Sequence, residues 1–216
     1  MDLGALFMDA ARYTKGTFWG RGKNTLKLLV SVVIFPLFFG YLVQVLRGED
    51  PAPPVRWSFK MFLDGIKVCL IWFLYTVPVL VAFVALVGSV VVLYVTDGVS
   101  AIEPHLTEII GGVLIVCVLY ILTGLFVNLA TIKFAREQRL FAAFSFGEIW
   151  RCIGRIGLWQ YVAAVILLAA FVNTVIGLVL LVPNDVVAFA LFALAMVPLS
   201  IFQARYFARI YDLAMG

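Results

Sequence analysis

The chain has 216 residues, of which 64% are hydrophobic and only 13% charged, with a formal net charge of +4. A water-soluble domain is roughly half apolar and about a quarter charged, so this composition excludes one and points to a single integral membrane domain over residues 1–216. The lysines and arginines gather at the ends of apolar runs. That pattern argues against nucleic acid as a partner and for membrane lipids, with anionic headgroups as the counterpart of the basic patches.

The opening stretch, "MDLGALFMDAARYTKGTFWGRGKN", lacks the basic leader, clean apolar core and small-residue cleavage site of a signal peptide. It carries Arg12, Lys15, Arg21 and Lys23, with Lys27 just beyond. The first apolar run, Leu28 to Leu46, is barely long enough to cross a bilayer. Four later runs are stronger: Val68 to Val95, Ile109 to Ile132, Leu158 to Val182, and Val186 to Phe202 with extension toward residue 210. A helix needs about 20 apolar residues to cross a core of about 30 Å, so all four are predicted spans. Pro183, Asn184 and Asp185 form a tight turn between the last two.

Charge sets the topology. Between Thr96 and Glu108 there is no Lys or Arg, and the Pro183 turn has none. The segment from Lys133 to Arg155 has five and that from Arg47 to Lys67 has four. The positive-inside rule places the two basic segments in the cytoplasm and the other two outside. Arg205 and Arg209 then put the C-terminus inside. If Leu28 to Leu46 crossed once, five cations of the N-terminal stretch would lie outside, against the rule. If it turned at mid-depth near Pro36 to Gly40, both flanks would stay inside. Pro36 removes a backbone donor, and Gly40 tolerates turn dihedrals. Tyr41 brings a hydroxyl for freed backbone groups, and Asn128, Asn173 and Gln160 are candidate partners from later spans. The re-entrant hairpin is the favoured reading, and a proline-kinked full span is the alternative. Both termini are expected in the cytoplasm of a multi-pass cell-membrane protein.

An internal repeat is visible at an offset of 87 residues. "WSFKMFLDGIKVCLIW" (57–72) aligns with "FSFGEIWRCIGRIGLW" (144–159), pairing Ser58 with Ser145, Phe59 with Phe146, Ile66 with Ile153 and Trp72 with Trp159. Ser145 and Glu148 have capping-box spacing, and Ser58 is the equivalent cap. Lys60, Asp64 and Lys67 share one helical face, as do Glu148, Arg151 and Arg155. Both segments are therefore predicted as amphipathic helices in the cytoplasmic interface. Asp64 reads as an ordinary surface charge pair. The repeat halves are 28–95 and 109–182, followed by a final span over 186–210.

Chemistry is sparse. Ionisable groups inside the bilayer would be functional by default, but the spans hold almost none. Cys69, Cys117 and Cys152 lack metal-ligand spacing and read as small buried apolar residues or reduced thiols rather than as a disulfide or redox pair. His105 with Glu103 and Glu108 reads as a solvated acidic loop rather than a metal site. No phosphate-binding loop, nucleophile elbow or zinc motif occurs. No catalytic, cofactor or metal site is expected.

Several residues carry a resemblance. Pro36, Gly40-Tyr41, Arg47, Gly48, the "PAPP" cluster, Trp57 and "DGIK" (64–67) resemble the N-terminal half of an archaeal multi-pass membrane family, domain of unknown function 4013. "FAREQRLFAAFSFGEIW" (134–150) and "RYFARIYDLA" (205–214) resemble its second half. The resemblance implies an archaeal-type membrane protein and supplies no activity.

The expected fold is all-α: a polytopic membrane helix bundle of four full spans, an N-terminal re-entrant or kinked segment, and two cytoplasmic interfacial helices. The expected function is non-enzymatic: organising or shaping the membrane, or scaffolding an assembly, as a homo-oligomer. The alternative is a small-solute or lipid transporter or channel built from the repeat. The structural and lipid-facing candidates are Pro36, Gly40, Tyr41, Lys60, Lys67, Asn128, Arg151, Arg155 and Asn173.

Overall fold

The computed structural model describes residues 2–19, 22–98 and 103–215. Among them are eight α-helices: α1 Leu3–Phe18, α2 Gly22–Val33, α3 Phe35–Leu46, α4 Phe59–Asp97, α5 Leu106–Glu137, α6 Phe146–Ile156, α7 Leu158–Leu180 and α8 Asp185–Met215. A 3₁₀ turn, Leu140–Phe144, precedes α6. Four helices, α4, α5, α7 and α8, are long and apolar enough to cross a membrane, matching the four predicted spans. The residues gather into two compact units, one of Met1–Cys69 with Asn128–Gly216, the other of Leu70–Val127.

In the larger unit α8 packs against α1, α3, α6 and α7. It is buried around much of its circumference from Val197 to Ile210, as a central helix must be. Phe202 meets Phe7 of α1 and Phe171 of α7 at centroid distances of 4.8 and 5.1 Å. Helix α1 was not anticipated in the sequence as a separate element. Asp2 caps it, its Oδ1 accepting from the Gly4 and Ala5 amides at 2.9 and 3.1 Å. Leu6, Ala10, Tyr13 and Thr17 then recur at helical spacing and form its buried stripe.

The opening apolar run is two helices, not one. Helices α2 and α3 have 12 residues each and pack on one another. Each rises about 18 Å, too little to cross a core of about 30 Å. Helix α2 is tied to the connector that follows α3: Lys27 Nζ donates to the Val55 carbonyl at 3.4 Å, and Trp57 Nε1 to Ser31 Oγ at 2.9 Å. Tyr13 Oη also donates to the Glu49 carbonyl at 3.2 Å.

The break lies at Ile34 rather than at Pro36 to Gly40, which corrects the predicted turn. Proline is favoured in the first helical turn, where its absent N–H would have had no partner. Pro36 therefore starts α3 instead of ending a helix. Gly40 and Tyr41 are helical and buried. Tyr41 Oη donates to the Pro53 carbonyl at 3.3 Å, so it fastens the proline-rich connector rather than a broken helix.

Gly40 serves a helix crossing. A Cβ built on it would lie 2.7 Å from the Met61 carbonyl carbon and closer still to its oxygen. A Cβ on Gly65 would overlap the Pro36 carbonyl and sit 2.9 Å from the Gly40 amide nitrogen. The backbones of α3 and the first turns of α4 touch at these two glycines, the arrangement that small residues permit between membrane helices.

The two aligned segments diverge in structure. Ser58 caps α4, with the Met61 amide donating to its Oγ at 3.1 Å. Residues 57–67 do not form a separate interfacial helix, because α4 continues without a break to Asp97. The second copy does stop: Gly157, at φ +89°, separates α6 from α7. At the offset of 87 its counterpart is Leu70, and a leucine resists that dihedral. The expected capping box at Ser145 is absent. Its hydroxyl donates to the Ala142 carbonyl at 2.6 Å and accepts from Lys133 Nζ at 2.5 Å. Glu148 also goes to Lys133.

The smaller unit comprises the distal part of α4 and the first part of α5, both richly apolar and largely exposed, as lipid-facing helices are. Thr123 Oγ1 donates to the Tyr75 carbonyl at 3.3 Å. In the 183–185 turn, Asn184 Oδ1 accepts from the Val187 amide at 3.0 Å.

Candidate functional site

The ion pairs of the larger unit collect in three clusters. The first is built around Arg205, which the last apolar helix carries inward and leaves only 1% exposed. Its Nε donates to Asp9 Oδ2 at 2.9 Å and its Nη2 to Asp50 Oδ2 at 2.7 Å. The Tyr13 ring lies 4.3 Å from its guanidinium carbon, a cation–π contact. One turn on, Arg209 grips both oxygens of Asp9, at 2.9 and 3.1 Å. The Arg209 hydrogen bond, with help from Arg205, holds the Asp9 carboxyl below the usual aspartate range despite partial burial. This cluster joins α1, the connector after α3, and α8.

The second cluster lies at the end of α3. Arg47 donates to Asp64 Oδ2 at 2.9 Å and to the Ala135 carbonyl at 3.3 Å. Asp64 is buried, which corrects its reading as an ordinary surface pair. Its main partner is Arg47 from another helix, with Lys67 at 3.8 Å. Lys60 turns instead to Gln138 Oε1, at 3.2 Å. Beside them Arg136 pairs with Asp212 and lies against Gly48. Gly48 has φ +83°, and a Cβ there would stand 2.7 Å from Arg136 Nη2. Glycine thus serves both the backbone and the guanidinium.

The third cluster borders a cleft of about 240 Å³ between the end of α5, α6 and the end of α8. Lys133, almost fully buried, holds Glu148 and lies 3.5 Å from Glu137. Arg151 and Arg155, on the same face of α6, are exposed at its rim. Arg155 Nη1 donates to Met215 Sδ at 3.6 Å. Burial pushes the Cys152 thiol up, with Arg155 and Lys133 pulling the other way, so it sits there as a protonated thiol.

The remaining candidates lie on α5, on α7 and just before α5. Asn128 is half-buried on α5. Asn173 Nδ2 donates to the Ala169 carbonyl of its own helix at 2.8 Å, so it does not cover the α2–α3 backbone as expected. His105 pairs with Glu108 at 3.0 Å. No group of three or more His, Cys, Asp or Glu that could hold a metal ion occurs among the described residues.

Sequence reasoning used Arg205 and Arg209 only as topological markers, and missed Asp9 and Asp50 as their structural counterparts and Arg47 as that of Asp64. The available signal was the i, i+4 arginine pair closing an apolar helix, where each guanidinium needs a carboxylate if it is buried. In chemical terms these clusters bind elements together: Asp9, Asp50, Asp64, Glu148 and Asp212 are each met by a cation.

The helix composition is that of a multi-pass membrane protein. No curated protein and no solved structure matches the chain. Residues 26–184, well over half of the chain and including most of α2, all of α3, the Gly40–Gly65 crossing and Lys133 with Glu137 and Glu148, match the family described as protein of unknown function (DUF4013), and the chain belongs to that family.

Proposed function

We propose that this protein is a non-enzymatic, multi-pass cell-membrane protein that shapes or organises the bilayer from its cytoplasmic leaflet. One observation carries this reading. At the α2–α3 bend Val33 is 84% exposed and Phe35 62%, with Ile34 between them also exposed. An apolar tip on a hairpin too short to cross is suited to lipid and not to water. Val55 and Trp57 of the connector after α3 bond Lys27 and Ser31 of α2, and the cations on both flanks favour an entry and exit on one side. It occupies area in one leaflet only, as inserted amphipathic helices do, and such binding is curvature-sensitive.

The basic segments give the side. Lys15, Lys23, Lys60, Arg139, Arg151 and Arg155 flank the hairpin and spans, and the positive-inside rule assigns them to the cytoplasm with both termini. Asp9 of α1 is paired with Arg205 and Arg209 near the end of α8, which fits a common side for the two ends. Anionic lipid is the partner such a surface suits, and the broad apolar faces leave room for a second copy of the chain.

Reconstitution into phosphatidylcholine vesicles tests the reading. The expected result is tubulation or a shift to smaller vesicles, reduced by Val33→Asp with Phe35→Asp, without solute flux or conductance. Flux with no change of vesicle shape would replace this function with transport.

A further inference from the structure

The cleft beneath α6 has a charge pattern that the helix clusters do not account for. Two carboxylates line it, Glu137 and Glu148, and both turn to Lys133, whose ammonium also donates to Ser145 Oγ. Arg151 reaches Glu148 only at 4.0 Å, and its Nε donates to the Gly147 carbonyl of its own helix at 3.3 Å. Arg155 is left with a thioether, Met215 Sδ, as its hydrogen-bond acceptor among the described residues. Thioether sulfur is a weak acceptor, and a guanidinium carries five donors. Two arginines one turn apart on α6 therefore keep strong donors at the mouth of a cleft whose acidic groups are already taken.

We propose that this cleft binds the phosphodiester of an anionic phospholipid, with Arg151 and Arg155 as its ligands. Guanidinium donors match phosphate oxygens in paired geometry. A cleft of about 240 Å³ accepts a headgroup and leaves the acyl chains outside. The surroundings favour a lipid over free phosphate. Ile149 and Met215 give the cleft an apolar wall. Phe146 and Trp150 on α6 and Trp159 at the start of α7 are exposed. Aromatic rings beside basic residues are characteristic of the headgroup level of a bilayer. The proposal rests on the cytoplasmic-interface placement of α6 given above, and it adds a defined lipid site to it.

The test uses the full chain in neutral detergent, with bound lipid counted by native mass spectrometry after exposure to phosphatidylglycerol or phosphatidylcholine. Wild-type protein should retain phosphatidylglycerol preferentially. A basic residue near an anionic surface contributes about fivefold in affinity, so Arg151→Gln with Arg155→Gln should lower retention by about 25-fold. Arg12→Gln with Arg56→Gln removes the same charge from exposed positions outside the cleft lining and should leave retention nearly unchanged. Equal retention by the α6 variant and wild type would overturn the site, provided both melt at the same temperature. Equal losses in the two variants would also overturn it, because they would mean a diffuse surface field. Binding of inorganic phosphate with no preference for phosphatidylglycerol would overturn the lipid assignment in favour of a free anion. The shape assay above uses phosphatidylcholine alone, so the headgroup site and the wedge fail separately.

Discussion

Gly65→Ala should destabilise the protein by about 3 kcal/mol or more, and Gly40→Val by a similar amount. At either glycine the added carbon meets backbone: the Pro36 carbonyl and the Gly40 amide for Gly65, the Met61 carbonyl for Gly40. A side chain in that path could rotate away. A helix backbone can yield only by separating α3 from α4, which also disturbs Arg47–Asp64 and the contact of α3 with α8. Gly111→Ala is the control. Nothing lies within 4 Å of a Cβ there, so its effect should stay within about 1 kcal/mol. Thermal melting in detergent, followed by the monodisperse fraction on size exclusion, reads the difference. Similar melting of all three variants would remove the close crossing.

Arg205→Leu should have the next largest effect, about 2–4 kcal/mol. Breaking a buried ion pair costs about 3–5 kcal/mol because a charge is left without its partner. The loss stays below that because Asp50 is 60% exposed and can rehydrate. Arg205→Lys should recover only part of the loss, since one ammonium cannot reproduce the fork to Asp9 and Asp50 or the planar contact with Tyr13. Asp9→Asn should be partly non-additive with Arg205→Leu in a double-mutant cycle, because the two residues share one network. Acid provides a second readout. The folded-state value of Asp9 is lowered, so its contribution is complete above the usual aspartate range. It is lost as pH falls below that range through the lowered value. Asp9→Asn should flatten this part of the acid unfolding profile, and an unchanged profile would mean that Asp9 contributes little through its charge.

What was legible in the sequence followed from solvent and periodicity. Long apolar runs gave α4, α5, α7 and α8, because hydrocarbon demands continuous helix and the runs have the needed length. The break in the first run was legible from the charges flanking it, but its place was not. Pro36 was read as a helix breaker when it stands at a helix start, and these roles differ only in which neighbours are helical. Gly40 was singled out for backbone freedom, whereas its lack of a Cβ is what α4 requires. That requirement comes from the backbone of Met61, 21 positions away (61 − 40), and no local pattern reveals it. Ser145 illustrates the same limit. Its spacing to Glu148 fits a capping box, but Lys133 from α5 claims both side chains. Arg205 was the largest omission, since burial of an arginine depends on carboxylates brought from Asp9 and Asp50 by the fold.

The central claim is that the α2–α3 segment turns back within the membrane, so that both its flanks share the cytoplasmic side. Site-directed labelling with a membrane-impermeant thiol reagent tests this most directly. The background would carry Cys69→Ala, Cys117→Ala and Cys152→Ala, with single cysteines at Lys23→Cys before the hairpin, Arg139→Cys after α5, and Glu103→Cys between α4 and α5. All three native positions are exposed. The account predicts that in intact cells only Glu103→Cys reacts, and that Lys23→Cys and Arg139→Cys react after the membrane is opened. Labelling of Lys23→Cys from outside intact cells, with Arg139→Cys still protected, would contradict it and make Leu28 to Leu46 a fifth crossing.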